Sequence, residues 1–492
     1  MSEIANVPKS YDFYNSHFPQ PPQEERERAA QIAIDGLAGL DKELMATYAF
    51  SPWQRNFWIT VAILVVAGFA IWPVQVGSSL VGFLVVLYGL TLYSRSRITI
   101  MGLTSTARNE NILPVEIDDL PIYSILMPAF DEPEVIRNLV RAVDAIDYPK
   151  ERLELLLLLE EDDNSTIDSL IGVELPTSVR VLLVPPSEPR TKPKACNYGL
   201  QFARGKYVTI FDAEDVPQPM QLRDAVELFE SSPDDVACLQ ARLDYFNYTQ
   251  NLLTRFFTVE YATWFGCILP GLQRLKMPIP LGGTSNHIKT NLLIDLGGWD
   301  PYNVTEDADL GIRLVQRGYR TLVLDSVTFE EANSDTVNWI RQRSRWYKGY
   351  LQTWLVHMRQ PRATLGHMGP RGVLGITTVI GLTPALAAVN LFAAFLTVLF
   401  FIGVPASLTG IFPPWVVYVG SGMFFFGNAF VILTSIMAMI RMKKEYLALT
   451  CLVFPLYWLL MAVAATKAVY QLIVRPSYWE KTQHGLTDES AE

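Results

Sequence analysis

The chain has 492 residues, half of them hydrophobic, 18% charged and 12% aromatic, with a formal net charge of −10. An ordinary soluble protein carries about 25% charged residues, so this balance points to a membrane protein with a large polar part and excludes disorder, a collagen repeat and a small disulfide scaffold. The acidic balance argues against a nucleic-acid partner, which needs a basic face toward phosphate. The four cysteines, Cys196, Cys238, Cys267 and Cys451, form no C-x-x-C pair. Neither a structural zinc site nor a disulfide framework is expected from them, and reduced thiols suit a cytosol.

Near the N-terminus no apolar run occurs, so no signal peptide is expected. A Pro-rich stretch (Phe18 to Pro22) leads into a mixed-charge helical pattern from Glu24 to about Ala49, read either as a helix lying on the bilayer or as a plain solvated one. Phe57 to Trp72 and Ser79 to Tyr93 are almost wholly apolar. A hydrocarbon core of ~30 Å takes ~20 apolar residues per helix, so the two predict a transmembrane hairpin turning at Pro73 to Gly77. Arg55 precedes it and Arg95 and Arg97 follow it, which puts both ends in the cytosol.

From about Thr104 to Arg359 the chain is polar, and this predicts one cytosolic domain. Apolar sequence resumes over Val373–Val404, Trp415–Ile440 and Tyr446–Val474. Pro384 is expected to divide the first into an interfacial helix, Val373 to Leu382, and a span, Ala385 to Phe401. The uncharged loop Gly403 to Pro414 falls outside; Arg441, Lys443 and Lys444 fall inside. The last segment has Pro455 near its start and Lys467 in its middle, where a charge is costly in lipid. It reads as a bent or interfacial helix that returns the tail to the cytosol, with a straight span as the alternative. The expected divisions are therefore 1–54, a cytosolic N-terminal region; 55–97, the hairpin; 104–334, the polar domain; 335–383, interfacial helices; 384–474, C-terminal membrane helices; and 475–492, a cytosolic tail.

Within the polar domain, strand-like runs (Ile122–Met127, Leu153–Leu159, Val179–Val184, Tyr207–Phe211, Val236–Gln240) alternate with helical patterns (Val135–Ile146, Lys194–Ala203, Met220–Phe229). That alternation predicts an α/β domain with a mostly parallel, doubly wound sheet, whose ligands bind beyond the carboxyl ends of the strands. Three of those ends carry acids: Phe130-Asp131-Glu132, Glu160-Glu161-Asp162-Asp163 and Asp212-Ala213-Glu214-Asp215. No glycine-rich dinucleotide fingerprint follows the first strand, and no P-loop occurs. Helix capping explains one such cluster. Three on one sheet edge repel unless a cation neutralises them. Carboxylates without His or Cys suit Mg²⁺ or Mn²⁺, metals that accompany phosphate, so a nucleotide or sugar diphosphate is indicated.

Four motifs follow in order: Asp162-Asp163, Asp212-Ala213-Glu214, Thr305-Glu306-Asp307 and Gln342-Arg343-Ser344-Arg345-Trp346. From roughly Ile122 to Trp346, and in its flanking membrane layout, the chain resembles the processive branch of glycosyltransferase family 2, which includes cellulose, chitin and hyaluronan synthases. The resemblance implies a GT-A-like domain inserted between transmembrane helices and a uridine diphosphate (UDP) sugar donor. Phe130, Asp131, Glu132, Asp162 and Asp163 would hold the donor, with Lys194, Asp212 and Arg345 toward its diphosphate. Mg²⁺ or Mn²⁺ would sit on Asp212 and either Glu214 or Asp215, because Glu stands where the family usually has a second Asp. Asp307 would be the general base, with Gly283, Thr284, Glu306, Gln342 and Trp346 on the acceptor side.

The residues support part of this by themselves. Thr305-Glu306-Asp307 opens a helical pattern, where an N-cap and two acids meet the helix dipole and a carboxylate is rigidly aimed. Gln342, Arg345 and Trp346 fall at i, i+3 and i+4 and share a face, offering a fork for phosphate and an indole for a sugar ring. Trp339, Trp346 and Trp354 equally suit a membrane-surface helix. His287, His357 and His367 lack metal-ligand spacing and read as structural. Tyr478-Trp479-Glu480-Lys481-Thr482 loosely resembles a gating loop, which makes Trp479, Lys481 and Thr482 gating candidates; no cyclic-dinucleotide sensor is expected after it.

The expectation is an inverting enzyme of the cell inner membrane that extends a β-linked polysaccharide and exports it through its own helices. Its partners would be the UDP-sugar, the growing chain and membrane lipid, with accessory secretion proteins as candidates. Non-processive transfer to a lipid acceptor is the alternative. A transporter or inactive receptor is a further one, disfavoured by the few charges in the apolar segments.

Overall fold

The computed structural model describes residues 11–105, 112–133, 145–392 and 413–476. Most of the helix expected over Val135–Ile146, part of the span and loop expected over 385–414, and the whole segment 478–482 lie outside them.

Helices α1 (Gln23–Leu40), α2 (Pro52–Ile71) and α3 (Pro73–Leu103) precede the sheet. Helices α4 (Asn164–Leu170), α5 (Lys192–Leu200), α6 (Leu252–Thr263) and α7 (Glu306–Gln316) pack around it. After it come α8 (Thr336–His357), α9 (Pro361–Phe392), α10 (Pro414–Arg441) and α11 (Phe454–Val474). The strands are β1 (Tyr123–Ala129), β2 (Leu153–Glu160), β3 (Val179–Val184), β4 (Tyr207–Ile210), β5 (Val216–Pro217), β6 (Val236–Tyr245), β7 (Asn286–Lys289) and β8 (Arg320–Glu330).

They form one sheet in the order β3-β2-β1-β4-β7-β6-β8-β5. The β3-β2-β1-β4 half is parallel, as a βα alternation dictates. Beyond it β7 runs antiparallel to both β4 and β6, and β5 antiparallel to β8. The sheet is therefore mixed. Every residue of β2 is buried, the mark of a strand covered on both faces.

One face of helix α1 packs on the sheet domain. Its Ala29 and Ala33 are buried in one cluster with Ala195, Cys196 and Tyr198 of α5. Arg26 pairs with Glu161 at 2.9 Å, and the Asn197 amide donates to the Ala33 carbonyl at 3.0 Å. The alanine stripe fits this close packing, which a sequence of mixed charge conceals.

Among the described residues five helices, within α2, α3, α9, α10 and α11, are long and apolar enough to cross a membrane. Only Trp72 separates α2 from α3, and α3 continues past the expected Tyr93 to dock on the sheet domain. There Gly102 lies so close to the Cys267 carbonyl that a methyl group would collide with it. Pro384 does not divide α9. The helix widens to a π-turn over Thr377–Leu382, which relieves the clash a proline ring makes with the carbonyl four residues back; its break comes instead at Gly369.

Pro455 sits in the first turn of α11, where proline is tolerated. The helix then runs beside α8 along its length. Tyr457 meets Trp339 at 5.1 Å, Ala465 and Ala468 pack on Tyr347, and Leu472 on Leu351 and Leu355. Helix α8 touches the sheet domain at both ends, through Trp339 against Phe257 at 6.4 Å and His357 Nε2 against Asp309 Oδ1 at 2.9 Å. Phe454 shares a cluster with Ala438 and Met439 near the end of α10, and Leu472 one with Ala49 and Phe50 just before α2. Both ends of α11 thus lie in the layer next to the sheet domain.

Candidate active site

A cavity of about 2320 Å³ opens at the carboxyl ends of the strands and continues between α3, α9, α10 and α11. At the end of β1 it is lined by Phe130, Asp131 and Glu132. The Asp131 backbone is left-handed (φ 56°), and its N–H donates to Asp163 Oδ2 at 2.6 Å. Asp163 is buried and caps α4 through the Thr166 N–H, so it props the loop and does not face the cavity. Asp162 pairs with Arg190, whose guanidinium lies 5.1 Å over the Phe130 ring. Arg190 stands alone in a loop, with no pattern to announce it.

Lys194 is turned away from the cavity: it is 1% exposed and pairs with Glu160 at 2.8 Å. Lys192 lines the cavity instead. Its ammonium donates to the Asp212 carboxylate and, at 2.9 Å, to the Gly283 carbonyl. Two positions along a helix differ by about 200°, which puts these lysines on opposite faces of α5. Burial opposes the Lys192 charge, but Asp212 outweighs it and holds the lysine protonated.

After β4, Asp212 and Glu214 line the cavity while Asp215 lies beneath them. Asp215 accepts the Asp212 N–H at 2.7 Å and the Thr284 hydroxyl. Burial, and then the Asp212 charge, push its carboxyl well above the usual range. Glu330 and Glu331, at the end of β8, close the same wall. Burial, Asp215, Asp212 and Glu214 push the Glu330 carboxyl up too. These two acids went unnoticed because their strand did. Among the described residues no three His, Cys, Asp or Glu side chains form a ready metal cage. Crowded carboxylates of this kind fit an ion such as Mg²⁺ or Mn²⁺, which uses one or two carboxylates and completes its shell with phosphate and water.

Opposite this wall, α7 begins with Glu306 and Asp307. Burial raises the Asp307 carboxyl to about 6, with the Ala308 N–H, 2.7 Å away, and the charges of Lys192 and Arg345 opposing. Burial and Asp307 raise Glu306 to about 8. A side chain at Gly283 would place its Cβ 3.6 Å from Asp307 Oδ2, so glycine keeps the space before the carboxylate open. Thr284 and Tyr350 line the same region. Helix α7 is anchored from behind: Asp309 binds Arg313 at 2.7 Å and His357 at 2.9 Å.

Gln342, Arg345 and Trp346 of α8 all stand on the cavity wall, and Gln342 Oε1 is buried with no hydrogen-bond partner. Arg343, between them, forks onto Glu260, which also accepts the Tyr457 hydroxyl at 2.6 Å. Its guanidinium faces Trp346 at 4.8 Å and Phe257 at 5.2 Å. This hub ties α6, α8 and α11 together behind the Trp346 indole.

Residues 121–349 match the family model described as "Glycosyltransferase like family 2". Over these residues the chain is similar to glycosyltransferase family 2 domains. Its fold is GT-A-like, with the mixed sheet described above. "Probable glycosyltransferase YdaM" of Bacillus subtilis (strain 168) is 28% identical over 234 residues, 47% of this chain and 56% of that protein; the match thus spans little more than half of the relative's length. Among solved structures, the mannosyltransferase PcManGT from Pyrobaculum calidifontis, in complex with GDP-Man and Mn²⁺, is similar with a TM-score of 0.49 and 17% identity, over 77% of this chain and 99% of that one. TarS 1-349 of S. aureus with UDP-GlcNAc gives a TM-score of 0.37 and 12% identity, over 73% and 93%.

Proposed function

We propose that the protein is an inverting, processive glycosyltransferase that extends a β-linked polysaccharide from a UDP-sugar and passes the product between its own membrane helices. The observation that carries this reading is the single cavity joining Asp212, Glu214 and Asp307 to α3, α9, α10 and α11. A soluble-type transferase loading one sugar has no use for that extension.

In the reaction, Asp307 takes the proton of the acceptor hydroxyl. The oxygen attacks the anomeric carbon from the side opposite the diphosphate, forming the glycosidic bond as the carbon–phosphate-oxygen bond breaks with inversion. Lys192 and Arg345 face the departing diphosphate. Asp212 and Glu214 would hold the Mg²⁺ or Mn²⁺ that offsets its charge; Asp215, occupied by the loop, serves the scaffold. Phe130 with Arg190 forms a flat slot for the nucleotide base, beside Asp131 and Glu132. Gln342 and Trp346 receive the acceptor sugar, Gln342 supplying a carbonyl that lacks a partner.

The sheet domain is cytosolic in this reading and the membrane is the inner one. Helix α11 lies along the membrane surface, supported by its position beside α8 and by both of its ends in the domain layer. The tail then emerges on the donor side, where Trp479, Lys481 and Thr482 can close over the nucleotide.

The test is purified protein in lipid nanodiscs with labelled UDP-sugars and Mg²⁺ or Mn²⁺, the product sized and cut with linkage-specific hydrolases. A long β-linked product is expected. One sugar on a lipid acceptor would replace this reading with the non-processive one, and release of UDP without any glycan would remove both.

A further inference from the structure

The membrane portion of the cavity has a composition that narrows the product, given the polymerase reading on which this inference rests. Among the described residues of α3, α9, α10 and α11 that line it, Arg95 is the one charged side chain. The polar remainder is hydroxyl and amide, including Tyr88, Thr383, Asn390, Asn428 and Ser435. Tyr88 and Asn390 are hydrogen-bonded to each other across α3 and α9. At the inner mouth, the Arg343 guanidinium is already committed to Glu260.

We infer that the chain carried by this path is uncharged, a polymer of neutral hexose or N-acetylhexosamine units and not one that contains uronate. A uronate chain would bring a carboxylate to membrane depth with every one or two sugars. Buried charges need a partner there, and a lone arginine cannot follow a moving series of them. Neutral sugars need only hydroxyl and amide partners, which the path supplies, and apolar ring faces, which Trp458 and Phe424 can meet.

The reacting end favours the same class. The whole lining holds ten carboxylates against five cationic side chains. A donor's sugar enters between Asp307 and the wall of Asp212 and Glu214, and a further carboxylate on that sugar would meet like charge.

The test uses the full chain in nanodiscs, supplied with labelled UDP-glucose, UDP-galactose, UDP-N-acetylglucosamine, UDP-glucuronate and UDP-galacturonate, singly and in every pair. Pairs are needed because an alternating polymer shows nothing with one donor. Polymer is expected from at least one neutral donor, with uronate label below a hundredth of the neutral label in every pair. The product should pass unretained through an anion exchanger at pH 7. Uronate entering the polymer, or a retained product, would overturn the inference while leaving the polymerase reading intact. No polymer from any donor or pair would overturn both.

Discussion

Asp307 is the reactive acid of the proposed mechanism, whereas the hydrogen bonds of Asp215 tie it into the loop beneath. Asp307→Asn should lower kcat by about 10²–10⁴-fold, the usual worth of a positioned base, with donor affinity unchanged by calorimetry. The base works ionised, so kcat should fall as pH drops through about 6, where burial has raised this carboxyl. Stability moves the other way. A carboxyl raised above its unfolded value of about 3.9 favours the fold below that value and loses this contribution as pH climbs through about 6. Asp307→Asn should therefore melt higher than the native protein at pH 8; a lower Tm would contradict the burial argument. Asp215→Ala strips the acceptor from the Asp212 N–H and Thr284 and should cost about 1–3 kcal/mol in a denaturant titration. Glu214→Gln should leave stability alone and raise the metal concentration needed for half-maximal activity. Sequence reasoning brought the acids to one place because strand ends in an α/β sheet converge. It set Arg345 apart from Arg343 by the face shared with Gln342 and Trp346, but it could not separate Lys192 from Lys194. A two-residue offset on a helix chooses between opposite faces, and only the packed partner, Glu160, shows which face of α5 is which.

Helices and strands were legible in proportion to how uniform their surroundings are. The Leu-rich β2 and the apolar spans declare themselves because both faces meet hydrocarbon. Strand β7 is four residues long with Asn286 and His287 inside it, and β8 pairs with β6 through a bulge near Ala241, so neither carries a clean alternation. The docking of α1 depends on partners remote in sequence, Ala195, Cys196 and Tyr198, which no local pattern reports. Helix α8 is the keystone, and its hub makes a sharp prediction. Arg343→Met leaves the half-buried Glu260 carboxylate without its cation, a loss of about 1–3 kcal/mol for a stranded charged hydrogen-bond partner. It should lower the Tm in detergent, and Arg343→Met with Glu260→Gln should recover most of the loss. If the single variant melts like the native protein, the hub does not hold α6, α8 and α11 together.

Across the whole molecule, the position of α11 decides where the tail lies. With α11 on the membrane surface, a cysteine at Ser490 should react with an impermeant maleimide in inside-out vesicles and stay silent in right-side-out ones. Strong labelling in the right-side-out preparation would send α11 across the membrane and end the gating role of Trp479. The positive-inside pattern already pointed this way, yet hydropathy alone cannot tell a surface helix from a span. The contacts of Tyr457, Ala465 and Leu472 with α8 favour the proposed surface position, and the labelling decides it.

Helix α3 runs from lipid to the sheet domain and is pinned there with the Gly102 backbone against the Cys267 carbonyl. No side-chain layer lies between the two main chains to shear, so a one-turn slip of about 5.4 Å would pull backbone from backbone. In the proposed polymerase, the frame around the product would then be a fixed tube and not a piston. A glycan inside it would diffuse in both directions, and each new bond formed at Asp307 would remove one backward step, so that chemistry acts as the pawl of a thermal ratchet. Tension on the emerging end should accordingly speed elongation, and a load that pushes the chain inward should stall it.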